Sequence, residues 1–210
     1  MEFSIQQLFE KRKKWVEANR ENEFEDGIKR LLTDLYPDNA HFIYELLQNA
    51  EDAGASAVRF ILNDNRLEFE HNGDRLFSIE DVNSITSIGV STKGNDPTTI
   101  GEFGVGFKAV FAYTSTPEIE SGEYHFRIRD MVVPVTDGLS PGKLGEKITR
   151  FKFPFDNPKK SPENARAEIE KNLRLLNKST LLFLSNIRKI GYLLPDSTLG
   201  FLERVESGGS

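Results

Sequence analysis

The octapeptide Glu45-Leu46-Leu47-Gln48-Asn49-Ala50-Glu51-Asp52 constrains the fold more than any other stretch of the chain. At about 100° per residue, Glu45, Asn49 and Asp52 fall within about 60° of one another, while Ile43, Leu46, Leu47 and Ala50 gather on the other side. A helix divided in this way needs an apolar layer beneath it. It leaves a carboxylate–amide–carboxylate stripe facing away from that layer. The stripe reads either as an ordinary solvated face or as a polar constellation with a task. Asparagine is a poor helix-interior residue because its amide competes for backbone bonds, so Asn49 is a local cost that calls for a reason. The periodicity predicts the helix over 40–53, ended by Gly54 at the C′ position.

The layer beneath has to come from strands. Val58, Phe60 and Leu62 alternate, Asn63-Asp64-Asn65 turns the chain, and Leu67, Phe69 and His71 alternate again, which predicts a hairpin with His71 in the inward phase. Further strand-like runs are Tyr124-His125-Phe126-Arg127-Ile128, Met131-Val132-Val133, Thr149-Arg150-Phe151-Lys152-Phe153, 180–184 and 187–194. Helical spacing places Ile5, Leu8, Phe9, Arg12, Trp15 and Val16 on an amphipathic N-terminal helix, and Ala165, Ile169, Leu173 and Leu176 on another. Ser78-Ile79-Glu80-Asp81 has the capping-box pattern and opens a helix carrying Val82, Ile85 and Ile88. Residues 87–99 and 158–162 read as loops. Helices and strands mix without a regular βαβ alternation, which predicts an α+β fold with a mixed, mostly antiparallel sheet. The expected units are an N-terminal helix over 1–22, a core over 23–156, a helix and strands over 157–206, and a flexible tail or artificial remnant over 207–210.

Charge and cysteine usage narrow the chemistry. The chain of 210 residues has no cysteine, so disulfides, thiolate metal sites and a cysteine nucleophile are excluded. Its net charge of −6 argues against a whole face built to grip nucleic acid. The run Lys11-Arg12-Lys13-Lys14 is short for a nucleic-acid patch and reads rather as a solvated helix face. No apolar stretch is long enough to span a membrane, and the N-terminus lacks the pattern of a secretory signal. These features fit a cytoplasmic protein.

The second chemical feature is Gly101-Glu102-Phe103-Gly104-Val105-Gly106-Phe107-Lys108. Its glycines permit tight turns and close approach to a ligand, and a helix start after them offers free N–H groups to an anion. It is neither a Rossmann fingerprint nor a P-loop, since Phe107 stands where the P-loop needs lysine. Kinase signatures are absent.

Taken together, in their order and spacing, these motifs resemble the GHKL ATPases, the group that holds Hsp90, DNA gyrase B, MutL and the MORC proteins. The likeness is greatest to the sacsin/NO VEIN-type branch of Hsp90-like ATP-binding domains. The motifs that carry it are the N box (45–52), the first glycine box (67–77), the start of the lid (87–93), the second glycine box (101–111) and the last strand (149–155). The resemblance implies a two-layer α/β sandwich of the Bergerat type, with helices on one face of the sheet and ATP held between helices and lid. It implies Glu45 as the general base that deprotonates the attacking water, Asn49 as the Mg²⁺ ligand, and Asp52 as a carboxylate lining the pocket. Gly101, Phe103, Gly104, Val105, Gly106 and Phe107 match the loop whose backbone cradles the phosphates. Lys108 matches a phosphate-directed lysine or, equally, an ordinary helix start. Ser91, Thr92 and Lys93 match the start of the lid, and Thr149 matches a threonine beside the adenine.

One departure stands out. Relatives carry D-x-G-x-G at the first glycine box, where the aspartate accepts the adenine amino proton, and this chain reads His71-Asn72-Gly73-Asp74-Arg75-Leu76. His71 takes the aspartate's place, either as a base contact or as a packed histidine, and Asn72 and Asp74 are the other acceptors at hand. The resemblance implies Mg²⁺-dependent ATP binding with slow hydrolysis, weak in the isolated domain. The alternative is a nucleotide sensor or interaction module of the same fold that does not hydrolyse, with a DNA-acting gyrase- or MutL-type role third. Downstream domains are the implied partners, and an ATP-dependent homodimer through the Trp15 helix is a further one. Chaperone-like work and defence are both compatible.

Overall fold

A histidine, two alternating runs and a three-residue turn build the centre of the sheet. β1 (Ala57–Leu62) and β2 (Arg66–His71) pair antiparallel, with Phe60 opposite Phe69 and Val58 opposite His71. The computed structural model describes residues 4–20, 41–87, 105–139 and 147–204. Around the hairpin stand β3 (Glu118–Ser121), β4 (Tyr124–Arg129), β5 (Val133–Val135), β6 (Thr149–Pro154), β7 (Lys189–Leu193) and β8 (Leu199–Glu203). Together they form one eight-stranded sheet in the order β5-β4-β3-β6-β2-β1-β7-β8. Every neighbouring pair is antiparallel except β1 and β7, which run parallel. The fold is therefore α+β with a mixed, mostly antiparallel sheet, consistent with a two-layer sandwich.

The two faces of the sheet differ in chemistry because side chains alternate along each strand. Val58, Phe60, Leu62, Leu67, Phe69, Ile119, Phe126, Ile128, Phe151 and Phe153 all point into the core. The register places Arg59, Glu70, Arg150, Glu120, Lys152, Glu118 and Arg127 beside one another on the opposite face. A slip of one residue would exchange these two sets, which fixes the pairing.

Among the described residues, five helices accompany the strands: α1 (Ile5–Arg20), α2 (Phe42–Asp52), α3 (Ile79–Ile85), α4 (Pro162–Leu175) and α5 (Lys178–Leu182), together with a 3₁₀ segment over Val105–Ala112. α2 buries Phe42, Ile43, Leu46, Leu47 and Ala50. It ends as its sequence predicts: Gly54 has φ +74°, its N–H donates to the Glu51 carbonyl, and the Ala55 N–H donates to the Ala50 carbonyl. That is a Schellman motif, and only glycine takes its left-handed position without cost. Phe42 meets Phe153 at 6.1 Å between ring centroids, and Phe107 of the 3₁₀ segment meets Phe151 and Phe153 at 6.1 and 6.3 Å. Shared aromatic footing on β6 thus seats α2 and the 3₁₀ segment on one patch of the sheet.

α3 has the expected capping box, in which Asp81 N–H donates to Ser78 Oγ and Ser78 N–H donates to Asp81. α1 buries Leu8 and Val16, and Val16 clusters with Val132, Val133 and Val135. Of the basic run on α1, Lys11, Lys13 and Lys14 are exposed, whereas the Arg12 guanidinium is held by the Asn83 carbonyl and side-chain oxygens.

Three expectations are corrected. The strand expected over 180–184 is instead the helix α5, because Asn177 caps it and Thr180 completes a capping box. Met131 lies in a turn with φ +64°, so the strand there starts at Val133. The helix expected after the glycines is instead a 3₁₀ segment over Val105–Ala112. The C-terminal strands β7 and β8 extend the central sheet beyond β1. Among the described residues, no helix is long and apolar enough to cross a membrane. The tail over 207–210 and most of the 87–99 loop lie outside the described residues.

Candidate functional site

The polar stripe of α2 stands clear of the core as its periodicity requires. Glu45 and Asn49 are half-buried and Asp52 is exposed. Glu45 Oε1 lies 3.5 Å from His41 Nε2, and Asp52 Oδ1 accepts from Gln48 Nε2 at 3.1 Å. His41 was not singled out by sequence reasoning, although its place four residues before Glu45 was the available signal.

Two glycines bring other segments against the two ends of this helix. A Cβ at position 106 would lie 2.0 Å from Glu45 Oε2 and 2.3 Å from Glu45 Cδ. The backbone of the 3₁₀ segment therefore rests directly on the Glu45 carboxylate, and a side chain there would have to displace it. At the other end, a Cβ at position 73 would lie 2.8 Å from both Cβ and O of Ala53. The first glycine segment is thereby packed against the C-terminal end of α2. The two glycine-bearing motifs meet the same helix at opposite ends, about 12 Å apart by the helix rise.

At the Gly73 end, His71 is buried and its Nδ1 accepts the Gly73 N–H at 3.2 Å. The remaining ring proton then sits on Nε2. Burial, reinforced by the Arg75 charge, pushes His71 down to about 4, so the ring is neutral. It packs against Phe69 and Phe151 at 6.0 and 6.3 Å. Thr149 is its cross-strand partner on β6. The Thr149 hydroxyl is buried against Ser121 Oγ at 2.6 Å, and Ser121 Oγ also accepts the Phe77 N–H. Asn72 is committed to the hairpin: its Oδ1 accepts the Ser56 and Ala57 N–H groups and its Nδ2 donates to Ser56 Oγ. Asp74 is exposed and pairs with Lys147 at 2.9 Å.

Lys108 is turned into the protein. Its Nζ donates to the Ile85 and Met131 carbonyls, each at 2.7 Å, and stands 5.6 Å from the Phe111 ring centroid. Burial, with help from the nearby Arg12, pushes this lysine down to about 7. Phe107 is a core residue. Ser91, Thr92, Lys93, Gly101, Phe103 and Gly104 lie outside the described residues, as does the side chain of Val105.

A second polar cluster, Glu118, Glu120 and His125, lies on the outer face of the sheet. Here the protein supplies its own cation, because Lys152 Nζ sits 2.7 Å from Glu118 Oε1 and 2.6 Å from Glu120 Oε1. Burial would raise the Glu118 carboxyl, but Lys152, His125 and Arg127 outweigh it and bring it to about 2.

Against known proteins, the family model described as a Sacsin domain matches residues 70–150. Protein NO VEIN of Arabidopsis thaliana is 31% identical over 207 residues, covering 86% of this chain and 8% of that protein. Sacsin of Homo sapiens is 36% identical over 104 residues, covering 42% of this chain and 2% of that protein. The chain thus spans less than a tenth of the length of either relative. The solved N-terminal domain of a DNA repair protein has the same fold, with a TM-score of 0.58 at 15% identity over 89% of this chain and 58% of that one. The matched family span runs from Glu70 in β2 to Arg150 in β6, and the likeness to NO VEIN continues well beyond it, so the chain carries a domain of the sacsin/NO VEIN-like type.

Proposed function

We propose that this domain is a GHKL-type module that binds ATP with magnesium between α2 and the 101–108 glycine segment and hydrolyses it slowly. One observation supports the reading: the Gly106 backbone rests on the Glu45 carboxylate, as one site for the glycine segment and the polar stripe would require. Phosphoryl transfer to water needs positioning and charge neutralisation more than covalent chemistry. The donor set suits it. The Asn49 amide oxygen is a hard ligand of the kind magnesium takes alongside phosphate oxygens and water. Bound magnesium would neutralise charge on the transferred phosphoryl group. Glu45, one helical turn before Asn49, is placed to accept a proton from water. Backbone N–H groups at the start of the 3₁₀ segment suit an anion. Asp52 borders the same stripe, and His71 and Thr149 lie together beyond the far end of α2. A neutral His71 would offer an N–H donor at the base, where a carboxylate would offer an acceptor.

The test is phosphate release with and without magnesium. The wild-type chain is expected to turn over only with magnesium, and Glu45→Ala to lose turnover while keeping ATP binding. Turnover that survives Glu45→Ala removes that residue from its role. A sensor that binds without hydrolysing is the second reading. It is favoured by Lys108, whose side chain is turned into the protein onto the Ile85 and Met131 carbonyls. Nucleotide binding with no magnesium-dependent release would select it. Work through downstream domains or an ATP-dependent homodimer belongs to the same proposal.

A further inference from the structure

Glu51 belongs to α2 but not to its polar stripe. It lies about 200° around the helix from Asn49, on the side turned into the protein. Its carboxylate is 8% exposed and accepts three backbone N–H groups of the loop between α5 and β7. Ser185 and Asn186 donate to Oε1 at 2.7 and 2.6 Å, and Ile187 donates to Oε2 at 2.9 Å. The Asn186 side-chain amide adds a bond to the Glu51 carbonyl at 3.1 Å.

The same loop is held from its carbonyl side. The Arg204 guanidinium donates to the carbonyls of Leu181, Leu184 and Ser185. Its own N–H donates to the Arg188 carbonyl at 2.9 Å. An anion thus takes the loop's N–H groups and a cation takes its C=O groups. Arg204 directly follows β8, and the loop leads directly into β7. The chain between α5 and β7 is therefore clamped between the helix of the candidate site and the outermost strands of the sheet. These are charge-assisted bonds, about twice as strong as neutral ones. If Glu51 were withdrawn, three N–H groups would need new partners, so an open clamp would cost far more than the closed one.

We infer that Glu51, the 185–187 loop and Arg204 form a relay that couples ligand occupancy on the outer stripe of α2 to the β7–β8 end of the sheet. The relay rests on the nucleotide reading above. A ligand bound by Glu45 and Asn49 pulls on one side of an 11-residue helix whose other side holds the loop. The difference in contacts between the closed and open clamp is what the ligand shifts. β8 is the strand at this edge of the sheet, and it presents Leu199 and Phe201 to solvent at 78% and 61% exposure, so it is the surface whose order the relay controls.

Amide hydrogen exchange on the whole 210-residue chain, with and without ATP and magnesium, tests this on the wild type, Glu51→Gln and Arg204→Gln. In the wild type, nucleotide is expected to slow exchange in α2, at Ser185, Asn186 and Ile187, and across Lys189–Leu193. The change should be at least about fivefold, the lower end of ordinary site-to-site coupling. In both variants α2 stays protected by nucleotide but the response at β7–β8 vanishes. An unchanged β7–β8 response in the variants, or none in the wild type while α2 responds, overturns the relay alone. No nucleotide effect on α2 in the wild type overturns the nucleotide reading and the relay with it. Should Glu51→Gln fail to fold, Arg204→Gln leaves the α2 side of the clamp intact and decides the question.

Discussion

At position 106 the protein has made a choice between backbone room and a side chain. A methyl group there would occupy the space of the Glu45 carboxylate. Gly106→Ala is expected to push the half-buried Glu45 carboxylate aside at a cost of only about 0.5 kcal/mol, because the colliding atoms end a flexible side chain. It should also cut phosphate release about 100-fold, because a displacement of about 1 Å costs that much in a catalytic site. Adding Glu45→Ala removes the colliding atoms, so the double variant should be no less stable than Glu45→Ala alone in chemical denaturation. Additive losses would show that the two residues do not touch. His71 makes a pH-dependent prediction. Its folded value of about 4 lies below the ordinary 6.5, so the unfolded chain binds the extra proton first. Stability is fully present above about 6.5, falls as pH drops toward 4, and has lost about 2 kcal/mol from this group at pH 5. Denaturation midpoints at pH 7 and pH 5 check this, and His71→Leu should show a smaller drop. An equal drop in the variant would assign the dependence elsewhere.

Among the elements, α2 and the β1–β2 hairpin were legible because each carries its own period and its own stop signal, Gly54 for the helix and Asn63-Asp64-Asn65 for the hairpin. The strand expected over 180–184 failed because its apolar run hid the cap: Asn177 and Thr180 satisfy the first turn of a helix, and that local bonding decided the segment. β3 and β8 offered too little signal. Glu118-Ile119-Glu120-Ser121 has one apolar residue, and it becomes a strand only because β4 and β6 pair with it on both sides. Helical spacing placed Glu45 and Asn49 on one polar stripe, whereas their proposed roles came from the family resemblance. Glu51 could not be read from the sequence, because its partners lie more than 130 residues away. Asn72 was read as a possible base contact, and the structure gives it three hydrogen bonds at the mouth of the hairpin. Asn72→Ala is expected to cost about 1–3 kcal/mol in urea denaturation, with faster exchange of the Ala57 amide. A neutral effect would mean that water replaces those bonds freely.

For the molecule as a whole, the sheet separates two kinds of chemistry. Its inner face is apolar and seats α2 and the 3₁₀ segment side by side. Its outer face carries alternating acids and bases, with Glu70 between Arg59 and Arg150 and with Lys152 between Glu118 and Glu120. The fold is shared with the N-terminal domain of a DNA repair protein, and the family with NO VEIN and Sacsin, which are far longer chains. The proposed role is a nucleotide-driven module in which α2 and the glycine segment would hold magnesium–ATP. Titration calorimetry of the 210-residue chain is the direct measurement. The account predicts saturable heat with ATP that requires magnesium and weakens at least about tenfold in Asn49→Ala, the loss common for removal of a metal-site group. Absence of heat with millimolar ATP and magnesium, or binding indifferent to both magnesium and Asn49, would contradict it.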